Sequence, residues 1–136
     1  MSSILNIAVS GLNAASAQIA NATKNIVNAS STGALPNDEG QNYTGYTPTD
    51  VVTLSTSTAG ANLGVTTTTV PRSPAYSPAY DPNSPNANAQ GLVGAPNVDL
   101  TSEIVSSKVS QVNYAADAAI IRIENKDEKA LLDIKT

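Results

Sequence analysis

The sequence contains no cysteine, no histidine, no tryptophan and no phenylalanine. Each absence removes a class of chemistry. Without Cys there are no disulfides and no thiol nucleophile, and the chain is compatible with any redox compartment. Without His the commonest general base and the commonest zinc ligand are missing. Charged residues make up 13% of the chain, where soluble domains carry about 25%. Lys24 and Arg72 are the only cations before Lys108, and the net charge of −4 is spread without a basic patch. That argues against a nucleic acid partner. No run of about 18 apolar residues occurs, so no membrane span is expected. The N-terminus lacks the basic flank and compact apolar core of a cleavable signal peptide. Read alone, this predicts a cytoplasmic protein or one exported by a route that uses no such peptide.

An enzyme is not expected. Asp38, Glu39, Asp50, Asp81 and Asp99 form no paired-carboxylate constellation. Asp38-Glu39 is an adjacent pair in a Pro/Gly loop, where carboxylates are usually solvated. No phosphate-cradling Gly loop is present. The stretch Asp81–Gly91 holds Asp and several Asn, but a calcium loop needs Gly at its sixth position and Glu at its twelfth. Pro85 stands at the fifth instead. We assign no catalytic, cofactor-binding or metal residues, and we expect no cofactor.

What the chain does have lies at its ends. In residues 1–31, Leu5, Ala8, Leu12, Ala15, Ile19, Ala22, Ile26 and Ala29 recur at alternating steps of three and four, a heptad seam. Near the C-terminus, Val105, Val109, Val112, Ala116, Ala119 and Ile123 keep the same alternation. It breaks where Lys126 takes the next apolar position. A second face of this helix carries Tyr114, Ala118 and Ile121, and a helix apolar on two sides is usually buried on two sides. Both seams predict helices that pair with each other or with other copies of the chain. Ser2 or Ser3 can cap the first, and Asn97 or Asp99 the second. Glu103 suits the positive end of the second helix's dipole. The mixed-charge tail Glu124–Lys135, with Leu131, Leu132 and Ile134, reads as a solvated amphipathic end.

The first helix carries Asn6, Asn13, Asn21 and Asn28 opposite its seam. Such a face is either solvated or hydrogen-bonded to neighbouring subunits. Asn and Ser are moderate helix formers, and Lys24 is the only charge before Asp38. The segment is therefore expected to be poorly helical by itself and to depend on packing. Its small residues Ala14 to Ala17 permit close approach of another helix.

Between the ends the composition changes. All eight Pro and seven of the eight Gly lie from Gly33 to Pro96. Gly33 is placed to end the first helix as a C′ residue. Residues 34–46 read as a loop, with turn chemistry at Pro36–Gly40. Asp50–Ser55 and Gly64–Val70 read as short strands, the second with a Thr66–Thr69 run suited to an exposed sheet edge. Ser73–Pro85 repeats Ser-Pro-Ala-Tyr and predicts an extended, polyproline-like path. It is either a flexible linker or an ordered strap whose Tyr76 and Tyr80 pack down. The expected organisation is thus an N-terminal helix over 1–32, a β and loop region over 33–96 with an extended strap over 73–96, and a C-terminal helix over 97–136. The fold class is mainly α with a small β-rich insertion. With 136 residues and few large apolar side chains, the core is thin. Apolar burial is worth about 25 cal/mol per Å² against an ordering cost of roughly 1.5 kcal/mol per residue. Such a chain completes its core with another subunit, or else remains a small, marginal monomer.

Three stretches carry a resemblance to the flagellar axial proteins, and within them to the basal-body rod proteins. Ser10-Gly11-Leu12-Asn13-Ala14 followed by Asn25-Ile26-Val27-Asn28-Ala29 is similar to the N-terminal axial motif. Tyr80-Asp81-Pro82, then Pro85, Ala87, Ala89, Gly91, Val93 and Pro96-Asn97-Val98-Asp99, resembles the rod-protein segment ahead of the last helix. This is the most specific of the three, with many residue types at fixed spacing. Glu103-Ile104-Val105 and Asn113-Tyr114-Ala115-Ala116-Asp117 resemble the family's Glu-Met-Val and Ser-Tyr-x-Ala-Asn, with Asp117 and Asn113 departing from the usual Asn and Ser. The Met-rich tail often seen in the family is absent. Residues 34–79 match only in length and style.

The resemblance implies a structural subunit of the periplasm-spanning rod, exported without a cleaved signal by the flagellar type III export apparatus. Terminal helices would pack as a coiled-coil-like layer around the export channel, with the middle region outside. Partners would be copies of itself and other rod proteins, with the MS ring and export gate on one side and distal rod neighbours on the other. The task would be torque transmission. Another axial rod or hook subunit, or a non-flagellar coiled-coil filament subunit, is the alternative. The expected assembly seam is Leu5, Leu12, Ile19 and Ile26 with Val105, Val109, Val112, Ala116 and Ile123, and the expected strap residues are Tyr76, Tyr80, Pro82, Pro85, Pro96 and Asn97.

Overall fold

A computed structural model describes residues 3–37, 40–58 and 61–134. In chain order they form α1 (Ser3–Val27), β1 (Thr49–Thr58), β2 (Ala61–Pro71), β3 (Tyr76–Tyr80), β4 (Leu92–Pro96) and α2 (Leu100–Ile134). Two long helices enclose, in sequence, two antiparallel strand pairs, β1 with β2 and β3 with β4. The class is mainly α with a small β insertion, as the sequence predicts.

The helices follow their apolar periodicity, and polar side chains set their ends. α1, at 25 residues, is about 38 Å long. It stops earlier than the seam suggests. The Asn28 side chain and backbone N–H both donate to the Lys24 carbonyl, at 2.9 and 3.1 Å. This local bonding is the way Asn competes with helix propagation. Gly33 is therefore not a C′ residue. It exchanges two backbone bonds with Gly94, at 3.0 and 2.8 Å, and a β-carbon there would overlap the Gly45 backbone. Glycine is needed for close approach of three chain segments, not for a left-handed turn.

α2, at 35 residues, is about 52 Å long. Asp99 is its N-cap: Oδ1 accepts the Thr101 and Ser102 N–H groups at 2.9 and 3.1 Å. The other candidate, Asn97, is used elsewhere, its Nδ2 donating to the Pro74 carbonyl at 3.0 Å.

The strap takes a different path from the polyproline one. Tyr76–Tyr80 is a strand paired antiparallel with β4, with Tyr76 opposite Pro96, Pro78 opposite Gly94 and Tyr80 opposite Leu92. A two-stranded sheet has only edge strands, which is where proline is tolerated. The connection from Asp81 to Gly91 is a chain of turns. Asp81 N–H donates to the Gly91 carbonyl at 2.9 Å, and the Asn88 side chain accepts from Gln90 and Leu92 N–H at 3.0 and 2.9 Å. Gly91 sits at φ 74°, a conformation that favours glycine.

The chain divides into two compact units. The arm unit comprises Met1–Ala20, Val51–Thr68 and Ser106–Thr136, and the central unit comprises Asn21–Asp50 and Thr69–Val105. Among the described residues, the buried ones of the arm unit are small: Ala8, Ala14, Ala15 and Ser110. In the central unit Ala22, Asn25, Pro48, Val93 and Glu103 are buried. Ala8, Ala15 and Ala22 are seven apart, so the most deeply covered line of α1 is its alanine line.

Candidate functional site

Two features stand out: a buried polar clasp in the central unit, and an apolar helix stripe that the arm unit leaves open. The clasp is built on Asn25, a fully buried α1 residue. Its Nδ2 donates to Glu103 Oε1 at 3.0 Å and to the Thr49 carbonyl at 2.9 Å. Its Oδ1 accepts the Tyr46 hydroxyl at 2.9 Å and the Thr49 N–H at 3.2 Å. One turn earlier, Asn21 Nδ2 also reaches the Thr49 carbonyl, at 2.6 Å, and Asn21 Oδ1 accepts the Thr49 hydroxyl. These two amides satisfy the edge of β1 as a neighbouring strand would.

Arg72, just past β2, closes the clasp. Its Nη2 lies 2.5 Å from Asp50 Oδ1 and 2.8 Å from Glu103 Oε1. Nε also faces both Asp50 oxygens, and Nη1 donates to the Asn97 carbonyl at 3.0 Å. The planar fork of Arg suits this divided task better than Lys would. The hydrogen bond to Asp50 does most to push the guanidinium pKa up, with Glu103 adding to it against the opposing effect of burial. Burial raises the Tyr46 and Tyr43 hydroxyls, and for Tyr43 the neighbouring Tyr76 raises it further. Glu103 thus serves as an ion-pair partner as well as a first-turn acid. Among the described residues, no buried side-chain polar atom lacks a hydrogen bond.

Within the arm unit Ser10, Gly11 and Gln18 have definite work. Ser10 Oγ accepts the Val65 N–H at 3.0 Å. A β-carbon on Gly11 would lie 2.5 Å from Asp117 Oδ2, so Gly11 lets α2 come close. Gln18 bridges two elements, donating to Thr53 Oγ1 at 3.4 Å and accepting from the buried Ser110 hydroxyl at 2.8 Å.

The α1 half of the expected seam is partly covered: Leu5, Leu12, Ile19 and Ile26 are half-buried. The α2 half is open, with Val105, Val109, Val112 and Ile123 exposed by 54–68% and Ala116 exposed as well. The covered positions of α2 include Glu103, Ser107, Ser110, Asp117, Ile121 and Glu124, which keep heptad spacing on another face. Ile121 belongs to the second face named from the sequence, and Tyr114 on that face is 41% exposed. On the first helix, Asn6 and Asn13 are exposed while Asn21 and Asn28 are bonded within the chain. Tyr76 stacks on Tyr43 with ring centroids 4.4 Å apart, whereas Tyr80 is exposed. Pro82 and Pro85 are exposed and Pro96 is buried.

Asp38 and Glu39 lie outside the described residues. Among the described residues no group of His, Cys, Asp or Glu is placed to hold a metal ion, and no helix is long and apolar enough to cross a membrane. A cleft of about 730 Å³ lies between residues 34–41 and 85–90 and is lined by neutral residues. No protein-family profile and no curated protein sequence matches the chain.

The clasp was not visible in the sequence as a unit. Its signal was the pair Asn25 and Glu103, which both occur in the motif stretches. Nothing marked Arg72, apart from its being one of two cations in the first hundred residues.

Proposed function

We propose that the chain is a structural subunit of the bacterial flagellar basal-body rod, a proximal-rod subunit of the FlgC type. It polymerises through its terminal helices with copies of itself and with other rod proteins, and it carries torque around an open export channel. The observation that carries this reading is the exposed stripe Val105, Val109, Val112, Ala116 and Ile123. Heptad-spaced aliphatic residues on a helix of 35 residues are the surface that coiled-coil-like assembly buries. The motif resemblance supports the rod in particular, because Ser10, Gly11 and Asn25 occupy contact positions that few other residues could fill. The stripe alone would also serve a filament subunit outside the flagellum. The Tyr80–Asp99 pattern favours the rod.

Val112→Asp tests the reading. Val112 is 68% exposed, so the substitution leaves the isolated chain folded. In a coiled-coil layer it buries an unpaired charge, which assembly does not tolerate. Cells carrying it in place of the native chain should lose motility, and isolated basal bodies should lack the protein. Normal motility would remove the stripe from the assembly.

A further inference from the structure

The last turns of α2 stand clear of cover. Glu124 is half-buried, and residues 125–131 are all exposed. Charge collects at this end. The eight positions Arg122–Lys129 hold three of the chain's seven cationic residues and three of its eleven acidic ones. The two signs are mixed in sequence, and the helix sorts them. At 3.6 residues per turn, Arg122, Lys126 and Lys129 form one row, and Glu124, Asp127 and Glu128 form another on the opposite side. Residues three or four apart on a helix are neighbours. Within Arg122–Lys129 every charged pair at that spacing is like with like: Arg122 with Lys126, Lys126 with Lys129, Glu124 with Asp127 and Glu124 with Glu128. Such pairs repel, whereas a helix that supports itself in water sets opposite signs there. Each row thus calls for charge from outside the segment.

Apolar side chains accompany both rows. On the cation side Ala119, Arg122, Ile123 and Lys126 surround a shallow groove. Their i, i+3, i+4 and i+7 spacing is that of a hole that takes a side chain from a facing helix. The acid side carries Ile120 and Leu131, 40% and 69% exposed. The open stripe Val109, Val112, Ala116 and Ile123 runs between the rows, about a quarter turn from each.

We propose that the two rows are the two halves of one contact between successive copies of this chain. The cation side of one α2 lies against the acid side of the next. The helices are parallel and nearly level, because the centres of the rows differ by less than one residue, about 1 Å of rise. Unlike surfaces meet, so the contact is heterologous: each copy keeps a free side for another, and the assembly extends instead of stopping at a pair. A two-fold contact through either row would set like charges together. Every stripe then faces the same side of the layer. The contact rests on the rod reading in taking the neighbour to be a copy in a polymer.

The test uses the full chain. A contact this small is weak, so sedimentation is run up to about half-millimolar chain. At low salt the native mass should rise past the dimer, and about 0.5 M salt should reverse this by screening. Arg122→Glu with Lys126→Glu and Lys129→Glu leaves two acid sides and should give a monomer. Glu124→Lys with Asp127→Lys and Glu128→Lys leaves two cation sides and should do the same. Mixed in equal amounts, these two variants should associate. One chain carrying all six substitutions should recover the native behaviour, which also shows that the exchanged residues leave the fold intact. Carbodiimide coupling of heavy-isotope-labelled with unlabelled native chain should join Lys126 or Lys129 of one copy to Glu124, Asp127 or Glu128 of another. A native chain monomeric throughout, a mass that stops at the dimer, or a mixture no better associated than its components would overturn the contact between copies. So would a six-fold variant that stays monomeric, since a partner of fixed charge would then be the one the rows fit. Each of these outcomes leaves the rod reading standing where Val112→Asp abolishes motility. Association through the tail, in a chain whose Val112→Asp form swims normally, would do the reverse.

Discussion

The two units are held together by different physics. The central unit is fastened by directional bonds: a buried amide, two carboxylates, a guanidinium and a tyrosine hydroxyl, each satisfied by the others. The arm unit is fastened by nearness. Among the described residues its buried side chains are alanines and one serine, and the aliphatic residues Ile4, Leu54, Val109, Val112 and Ile123 are exposed. The first arrangement specifies a single geometry and is costly to break in part. The second, among the described residues, forms no sizeable apolar core and leaves that aliphatic surface exposed. The contrast explains how one chain can hold one closely specified unit and still keep an exposed aliphatic surface on the other.

Breaking the clasp is the strongest way to separate the units. Arg72→Met leaves the buried Glu103 carboxylate without its cation, a loss of about 3–5 kcal/mol for a broken buried pair. Hydrogen exchange during urea unfolding should show faster opening of Tyr46, Thr49 and Val93 amides, while Ala14, Ala15 and Ser110 change less. Equal loss in both sets would mean that the units do not differ in what holds them.

Asn25→Leu acts on the same unit from the helix side. The isosteric side chain keeps the volume but strands Tyr46 Oη and Thr49 N–H without their partner and takes one of two donors from Glu103 Oε1, which keeps Arg72. The expected cost is about 2–3 kcal/mol, from desolvated groups left unpaired. A denaturation midpoint unchanged within error would show that water replaces the amide freely.

The arm unit answers to size. In an ordinary helix Gly11→Ala would add about 0.5–1 kcal/mol of stability. Here the new methyl meets the Asp117 carboxylate, and the substitution should instead cost about 1 kcal/mol through crowding. Combined with Asp117→Ala it should recover the ordinary helix gain. Thermal unfolding of the single and double variants reads the difference, and a stabilising Gly11→Ala by itself would show that α2 does not press on that position.

Much of this architecture was legible in the residues. The seams located both helices, Asp99 was one of two candidate caps, and the strand pair β1–β2 differs from the expected segments only in length. The strap is extended, as expected, and its Tyr76 packs down, but it is a paired strand and not the polyproline path that its Pro density suggested. The pairing of Tyr76–Tyr80 with Leu92–Pro96 depends on Gly94 and on turns that local sequence does not weigh. Within the single chain the line of α2 that is covered is not the one hydropathy marks. Hydropathy identified Val105, Val109 and Val112 as a surface to be buried, but α1 presents Gln18 and Asn25, so Glu103 and Ser110 turn inward to meet them. Polar complementarity between elements 78 and 92 residues apart leaves no local trace.

The span of the Asn25 bond has a bearing on timing. Its partner Glu103 lies 78 positions further along the chain, and Arg72 must be in place between them. A chain emerging from its N-terminus, whether from a ribosome or through a narrow pore, presents Asn25 long before Glu103 exists to receive it. Long-range closure of this kind is slow and comes late. Until then Asn25 can meet only its near partners Tyr46 and Thr49, and the half of the clasp that joins it to Glu103 and Arg72 stays open until the last third of the chain arrives.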